Sequence, residues 1–290
     1  MMNFLLHLQS FFEKLFQTLL TLPKILLWSR KVSLPRAQKK ELVILGNGPS
    51  LQDFLKNHRD FLAGKQSLAV NHFADTAAFT DIKPDFYLIN VPEFWTENVD
   101  EDVLKRRNRL LENLIQKTTW DMHLLLGMGA KKSKKWRELS EKNPHLKIHY
   151  FNTAPVEGFR WFRHFCYHRQ CGMPRPHNVL IPSLMLAIHM GFDKIYITGA
   201  DHNWLEEIFV ADDNTVYLTQ RHFYDAQTAR PDVMKKTGKN KRKLHEILHK
   251  FMLAFRGYFD IDDYARSRKV KIINITPHSL IDAFKRKKLN

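Results

Sequence analysis

Cysteine is scarce. Two residues in 290 leave no disulfide framework to organise the chain, and such usage suits a reducing compartment. Long apolar runs are missing too. Glu13 and Lys14 interrupt the most apolar segment, so nothing reaches the roughly 18 continuous apolar residues that crossing a bilayer requires. No cleaved signal peptide is expected, since a basic region at the extreme N-terminus and a small-residue cleavage site are both lacking. Acidic residues are the third shortage: 30 Asp and Glu against 46 Lys and Arg give a net charge of +16. A surface of that sign attracts phosphates, whether of nucleic acid, anionic lipid or a nucleotide sugar. A nucleic-acid binder would interleave aromatic and basic residues on a sheet face or carry a known module. Neither is visible, so no nucleic-acid partner is expected. Internal repeats are absent as well.

What is present has the composition of a globular domain, 44% hydrophobic and 26% charged, in a chain long enough for one large core or two small ones. In the first thirty residues Phe4, Leu5, Leu8, Phe11, Phe12, Leu15, Phe16, Leu19, Leu20 and Leu22 recur at helical spacing. Ser10, Glu13, Lys14, Gln17, Thr21 and Lys24 fall on the other face. Arg30, Lys31, Arg36, Lys39 and Lys40 follow. An apolar stripe ending in a basic cluster suits a helix lying in the headgroup region of an anionic leaflet. The same stripe also suits packing on the chain's own core or on a second copy in a homo-oligomer. Residues 1–34 are accordingly read as an amphipathic membrane-associating helix, with residues 1–31 meeting the anionic surface.

Beyond a polar linker at 35–40, short apolar strands alternate with helices. Strands are expected at Glu41–Leu45, Ser67–Val70, Asp85–Ile89, His123–Leu126, Lys194–Thr198 and Val270–Asn274. Helices are expected at 51–61, 100–116, 133–142, 182–190 and 244–266. The alternation predicts one α/β domain over 41–290, a Rossmann-like, mainly parallel sheet flanked by helices. Within it, 226–243 is polar and basic (Arg230, Lys235, Lys236, Lys239, Lys241, Arg242 and Lys243) and reads as a mobile lid. In such sheets ligands sit beyond the carboxyl ends of the strands. Three of the expected strands end in Gly46-Asn47, Asn71 and Asn90.

The turn Gly46-Asn47-Gly48-Pro49-Ser50 is neither a Walker A loop nor a full GxGxxG motif. Its glycines permit tight turning and close approach of a ligand to the backbone. Pro49 suits the first turn of a helix, and Ser50 places a hydroxyl at a helix N-terminus, where free N–H groups attract phosphate.

The run Leu45-Gly46-Asn47-Gly48-Pro49-Ser50-Leu51 resembles the opening signature of the bacterial CMP-sialic acid-dependent sialyltransferases, glycosyltransferase family 42. It is similar also to that of the motility accessory factors and the MptE-like pterin diphosphokinases. Asn71 and Asn90 resemble the two asparagines with which the first family holds its nucleotide. Met190-Gly191-Phe192 through Thr198-Gly199-Ala200-Asp201 resembles its central helix–strand unit, and Ile275-Thr276-Pro277-His278-Ser279-Leu280 its closing Pro-x-Ser-Leu turn. The likeness runs from about 41 to 285. It implies an inverting transferase that moves sialic acid or another acidic sugar from a CMP-linked donor to a glycan or glycolipid acceptor of the cell surface. No metal or other cofactor is implied, and the place of work is the cytoplasmic side of the bacterial inner membrane, peripherally bound. Gly46, Asn47, Gly48, Pro49, Ser50, Asn71, Asn90, Thr198, Gly199 and Ser279 are the implied nucleotide-binding residues.

The resemblance assigns proton abstraction from the acceptor to a histidine that follows the lid, and His245 occupies that place. Histidine titrates near neutrality, as a base for this task should. His249, one turn further, is its alternative. His222 and Tyr224 would lie beside the departing phosphate, where donors are needed. Asp201 would orient a histidine, contact the sugar or cap its turn. Where the family has an aromatic residue after this aspartate the chain reads Asp201-His202-Asn203-Trp204, which leaves the donor sugar open. His164, Cys166, His168, Cys171 and His177 are zinc-competent, but their spacing matches no standard zinc module. Arg160, Trp161 and Arg163 could line an acceptor groove. A diphosphokinase would instead need ATP, magnesium and an acidic cluster, and only scattered carboxylates such as Asp212 and Asp213 occur.

Overall fold

The computed structural model describes residues 2–225, 229–235 and 240–289. Helix α1 (Met2–Trp28) opens the chain. Strands and helices then alternate: β1 (Glu41–Leu45), α2 (Ser50–Asn57), β2 (Gln66–Val70), α3 (Ala78–Ile82), β3 (Phe86–Ile89), α4 (Glu101–Lys117) and β4 (Met122–Gly127). There follow the short α5 (Lys134–Arg137) and α6 (Leu139–Lys142), then β5 (Leu146–Phe151), α7 (Arg160–His168), α8 (Leu180–Met190) and β6 (Lys194–Thr198). A small antiparallel sheet comprises β7 (Ile208–Val210), β8 (Val216–Leu218) and β9 (Asp232–Val233). Helix α9 (Leu244–Ser267), β10 (Lys271–Asn274) and β11 (Lys285–Arg286) complete the described chain.

The main sheet has eight strands in the order β11-β10-β6-β1-β2-β3-β4-β5, every pair parallel. This is a Rossmann-like α/β fold. Strand side chains alternate between the two faces. Leu42, Ile44, Leu68, Val70, Phe86 and Leu88 enter a core shared with α8 and α9. Val43, Leu45, Ala69, Tyr87 and Ile89 enter a second core with α2 and α4. Burial on both faces explains why these strands read as unbroken apolar runs. Full burial of each such side chain contributes roughly 1.5–3 kcal/mol. The strand order reverses between β1 and β6, and a crevice opens beyond their carboxyl ends.

Several elements depart from the sequence reading. β5 was not anticipated: it is an edge strand, and Lys147 and His149 interrupt its apolar pattern. β7, β8 and β9 have two or three residues each, too few to show a period. The helix expected over 133–142 is two short helices that break at Glu138, and α2 stops at Asn57 rather than 61. Of the basic segment 226–243, residues 226–228 and 236–239 (with Lys236 and Lys239) lie outside the described residues. In the parts described, β9 pairs with β8, the Arg242 N–H donates to the Met234 carbonyl, and the Lys241 ammonium donates to Thr215 Oγ1.

Helix α1 docks with its polar side inward. The buried Thr18 and Thr21 face the 157–159 turn, where the Phe159 N–H donates to Thr18 Oγ1 and the Glu157 N–H donates to Thr21 Oγ1, each over 3.1–3.2 Å. Gly158 (φ +112°) permits this approach, because a Cβ there would stand 2.1 Å from Thr18 Oγ1. Leu5, Leu8, Phe12, Phe16, Leu19 and Leu20 consequently point outward and are all exposed. No helix among the described residues is long and apolar enough to cross a membrane.

Candidate active site

The turn after β1 and the turn after β6 are locked together. The Gly46 N–H donates to the Thr198 carbonyl and the Gly48 N–H to the Gly199 carbonyl, both at 2.8 Å. A Cβ on Gly46 would lie 2.4 Å from the Gly199 oxygen, and one on Gly48 would lie 1.9 Å from Asp201 Oδ2. Glycine is required here so that two backbone turns can touch. Asp201 completes the lock: its carboxylate accepts from the Ser50 N–H (3.2 Å) and the Ser50 hydroxyl (2.9 Å). The N-terminus of α2, expected to receive a ligand phosphate, is thus already served by the protein's own carboxylate. Burial raises the Asp201 pKa, opposed by those two Ser50 bonds.

From the other side the 276–280 turn clamps Ala200 and Asp201. Ser279 is buried and donates to the Ala200 carbonyl at 2.6 Å, while the Ala200 N–H donates to Thr276 Oγ1. Ser279 and the fully buried Thr198 therefore hold the site's frame from behind it.

A cleft of about 490 Å³ lies in front of this frame, at the switch point. Among the residues expected from sequence, Gly46, Asn47, Gly48, Pro49, Asn71, Asn90, Gly199, Asp201 and His222 line it. Ser50, Thr198, Ser279, Tyr224 and His245 do not. Asn71 adopts a left-handed conformation (φ +48°), and its Oδ1 accepts from the Asn90 N–H at 3.3 Å, which ties the two strand tips together. The Asn47 amide donates to the Val70 carbonyl, and its Oδ1 is buried without a hydrogen-bond partner among the described residues.

His245 is exposed near the start of α9. The residue that α9 sends into the cleft is Lys250, five positions on and therefore about 140° around the helix. The alternative His249 is also exposed and lines a neighbouring groove. His222 is better placed. Its Nδ1 lies 3.2 Å from Asp225 Oδ2, and the Asp225 carboxylate also accepts the His222 N–H. The next residue anchors the pair, since the Phe223 N–H donates to the Asn47 carbonyl and its ring packs on Phe73. Tyr224 stacks on the His222 imidazole, 5.0 Å between centroids.

Sequence reasoning missed His177, Asn178, His202, Arg221 and Lys250, all of which line the cleft. His202, in a left-handed conformation (φ +56°), is enclosed by Trp204, Phe255 and Tyr258; burial pushes its pKa down to about 3. Its Nε2 meets the Tyr258 hydroxyl at 2.5 Å, and that hydroxyl donates to Asn178 Oδ1. The same Oδ1 caps α8 by accepting from the Leu180 N–H, and Asn178 Nδ2 is buried without a partner among the described residues. Burial, with Arg242 nearby, lowers the Lys250 pKa. These residues come from four separate segments; the sequence marks His177 only as a possible metal ligand and His202 only as a departure from the family pattern.

The cluster of possible zinc ligands is dispersed. His164 pairs with Asp263, and Cys166 is buried with its thiol pushed up to about 12 by desolvation. No group of three metal-competent side chains converges among the described residues. Arg160 and Arg163, expected to line an acceptor groove with Trp161, do line a groove against α1 and form ion pairs there with Asp263 and Asp260, while Trp161 is exposed outside its lining.

No protein-family model matches the chain, and no curated protein matches it in sequence. Among solved structures the chain is similar to the MAf glycosyltransferase from Magnetospirillum magneticum AMB-1, with 10% sequence identity and a TM-score of 0.48. The match covers 90% of this chain and 35% of that one, so this chain spans about a third of that protein's length.

Proposed function

We propose that the chain is an inverting glycosyltransferase that takes sialic acid or another acidic sugar from a CMP-linked donor. The observation that carries this reading is the convergence of Asn47, Asn71 and Asn90 on a polar crevice that is also lined by His222, paired behind it with Asp225, and by two cations, Lys250 and the Glu207-paired Arg221. The asparagines supply the amide groups a nucleotide needs. With Nδ1 turned to Asp225, His222 keeps Nε2 as its accepting nitrogen. An acceptor hydroxyl would attack the anomeric carbon while His222 Nε2 takes its proton. The anomeric C–O bond to CMP breaks, and its electron pair leaves on the phosphate oxygen, beside Lys250 and Arg221.

Thermal-shift measurement with CMP, CDP, UDP and ATP tests the donor site. CMP should stabilise the chain, whereas a response only to ATP with magnesium would replace this reading with a diphosphokinase. His222→Ala should slow CMP release from CMP-sialic acid by about 10²–10⁴-fold with the CMP-induced shift retained. Unchanged turnover would remove His222 from the reaction, and loss restricted to His245→Ala would restore the base expected from sequence.

The outward face of α1 supports work on an anionic membrane surface. Phe11 contacts Phe159, Phe159 stacks on Trp161, and the exposed Trp161 and Phe165 of α7 extend the apolar surface. Arg30, Lys31 and Arg36 are exposed beyond the C-terminal end of α1, and Arg169 lies over the Phe165 ring. Indole rings and basic side chains at the rim of an apolar strip suit a headgroup layer. The chain should float with phosphatidylglycerol-containing vesicles, and Phe12→Ser with Phe16→Ser should abolish this. Persistent flotation of the double variant, or a wild-type dimer that the double variant dissociates, would reject the membrane as occupant.

A further inference from the structure

A second groove, of about 510 Å³, adjoins the cleft and shares His177 and Lys250 with it. One wall is the polar flank of α1, Glu13 and Gln17; the other walls carry Arg175, Arg242, His249 and Arg256. Four permanent cations face two carboxylates, Glu13 and Glu157. Glu157 is already divided between Arg175 Nη2 (3.0 Å) and Arg256 Nη2 (3.6 Å). Arg175 Nε, His177 Nε2 and Arg242 Nε are each buried without a hydrogen-bond partner among the described residues. Buried nitrogens of this kind are costly unless a hydrogen-bond partner meets them. Their crowding is also felt by His177, pushed down to about 4 by burial and then by Lys250 and Arg175. Guanidinium Nε–H groups beside a lysine suit the oxygens of a phosphate.

We infer that this groove binds the phosphate group of a phosphate-bearing acceptor, whose hydroxyl then reaches the cleft past His177 and Lys250. The inference rests on the glycosyl-transfer reading for the word acceptor; the phosphate site itself stands on the groove. The phosphate could be borne by a lipid, since α1 forms one wall, or by a soluble sugar phosphate.

Inorganic pyrophosphate, followed by thermal shift on the full chain, is the direct probe. Wild type should be stabilised, and Arg242→Gln should bind about tenfold more weakly. Arg256→Gln serves as the second variant. The CMP-induced shift should be equal in all three proteins, which also shows that the variants fold. Loss of the CMP response in wild type with the pyrophosphate response intact would sink the donor reading and leave the groove standing. Vesicles of phosphatidylcholine with and without phosphatidate separate the sources. Weaker flotation of Arg242→Gln on phosphatidate, with release of wild type by pyrophosphate, assigns the phosphate to a lipid; unchanged flotation assigns it to a soluble acceptor. Absence of a pyrophosphate shift in wild type, or equal shifts in all three proteins, would overturn the inference.

Discussion

The switch point and the N-terminal helix obey opposite rules. At the switch point the chain is packed on itself: Gly46 and Gly48 meet Gly199 backbone to backbone with no room for a Cβ, and Ser50 is held by the Asp201 carboxylate. On α1 the fully buried side chains are the polar Thr18 and Thr21, and most of the large apolar ones, Ile25 and Leu15 apart, face outward. An ordinary surface helix does the reverse. The contrast teaches that the first region is shaped by its own neighbours, whereas the second leaves most of its apolar stripe uncovered among the described residues.

The sharpest way to break the comparison is at Gly48. Gly48→Ala puts a methyl within 1.9 Å of Asp201 Oδ2 and 2.7 Å of the Gly199 oxygen. Separating two paired turns should cost about 3 kcal/mol or more in urea unfolding, as severe overpacking does; a cost below about 1 kcal/mol would show that the turns are not locked. Asp201→Asn is gentler and depends on pH. Because burial raises the Asp201 pKa above its unfolded value, the folded state holds this proton more tightly. Its contribution is therefore best below the unfolded carboxylate pKa, near pH 4, and falls as pH rises through the folded value. The unfolding free energy of Asp201→Asn relative to wild type should thus improve between about pH 4 and pH 7. A trend of the opposite sign would mean that the Ser50 bonds outweigh desolvation. The smallest effect belongs to α1: the Phe12→Ser, Phe16→Ser protein, designed to lose vesicle binding, should unfold in water within about 0.5 kcal/mol of wild type.

Wherever strands are buried on both faces, as in β1, β2, β3 and β6, their apolar runs announced them, and the parallel fold followed from alternation. β5 escaped because an edge strand tolerates Lys147 and His149 on its open side. For the site, the strand-tip residues Asn47, Asn71 and Asn90 were legible because topology alone brings parallel strand ends together. Lys250 and Asn178 were not, since nothing in sequence fixes the rotation of α9 or the entry of α8 against the crevice. The same missing rotation favoured His245 over His222. Gly46 and Gly48 were found for a different reason from the one the structure displays: their bareness admits the neighbouring turn and the Asp201 carboxylate.

Glu157 belongs to two neighbourhoods at once. Its main chain grips Thr21 of α1 through both amide and carbonyl, and its carboxylate steadies Arg175 and Arg256. The helix is accordingly no detachable tail: a displacement of it would be passed through Glu157 to two of the guanidinium groups beside the crevice. Removing it wholesale would unseat Glu157 and the arginines it pairs with, so single side-chain changes on the outer face are the cleaner instrument for testing that face alone.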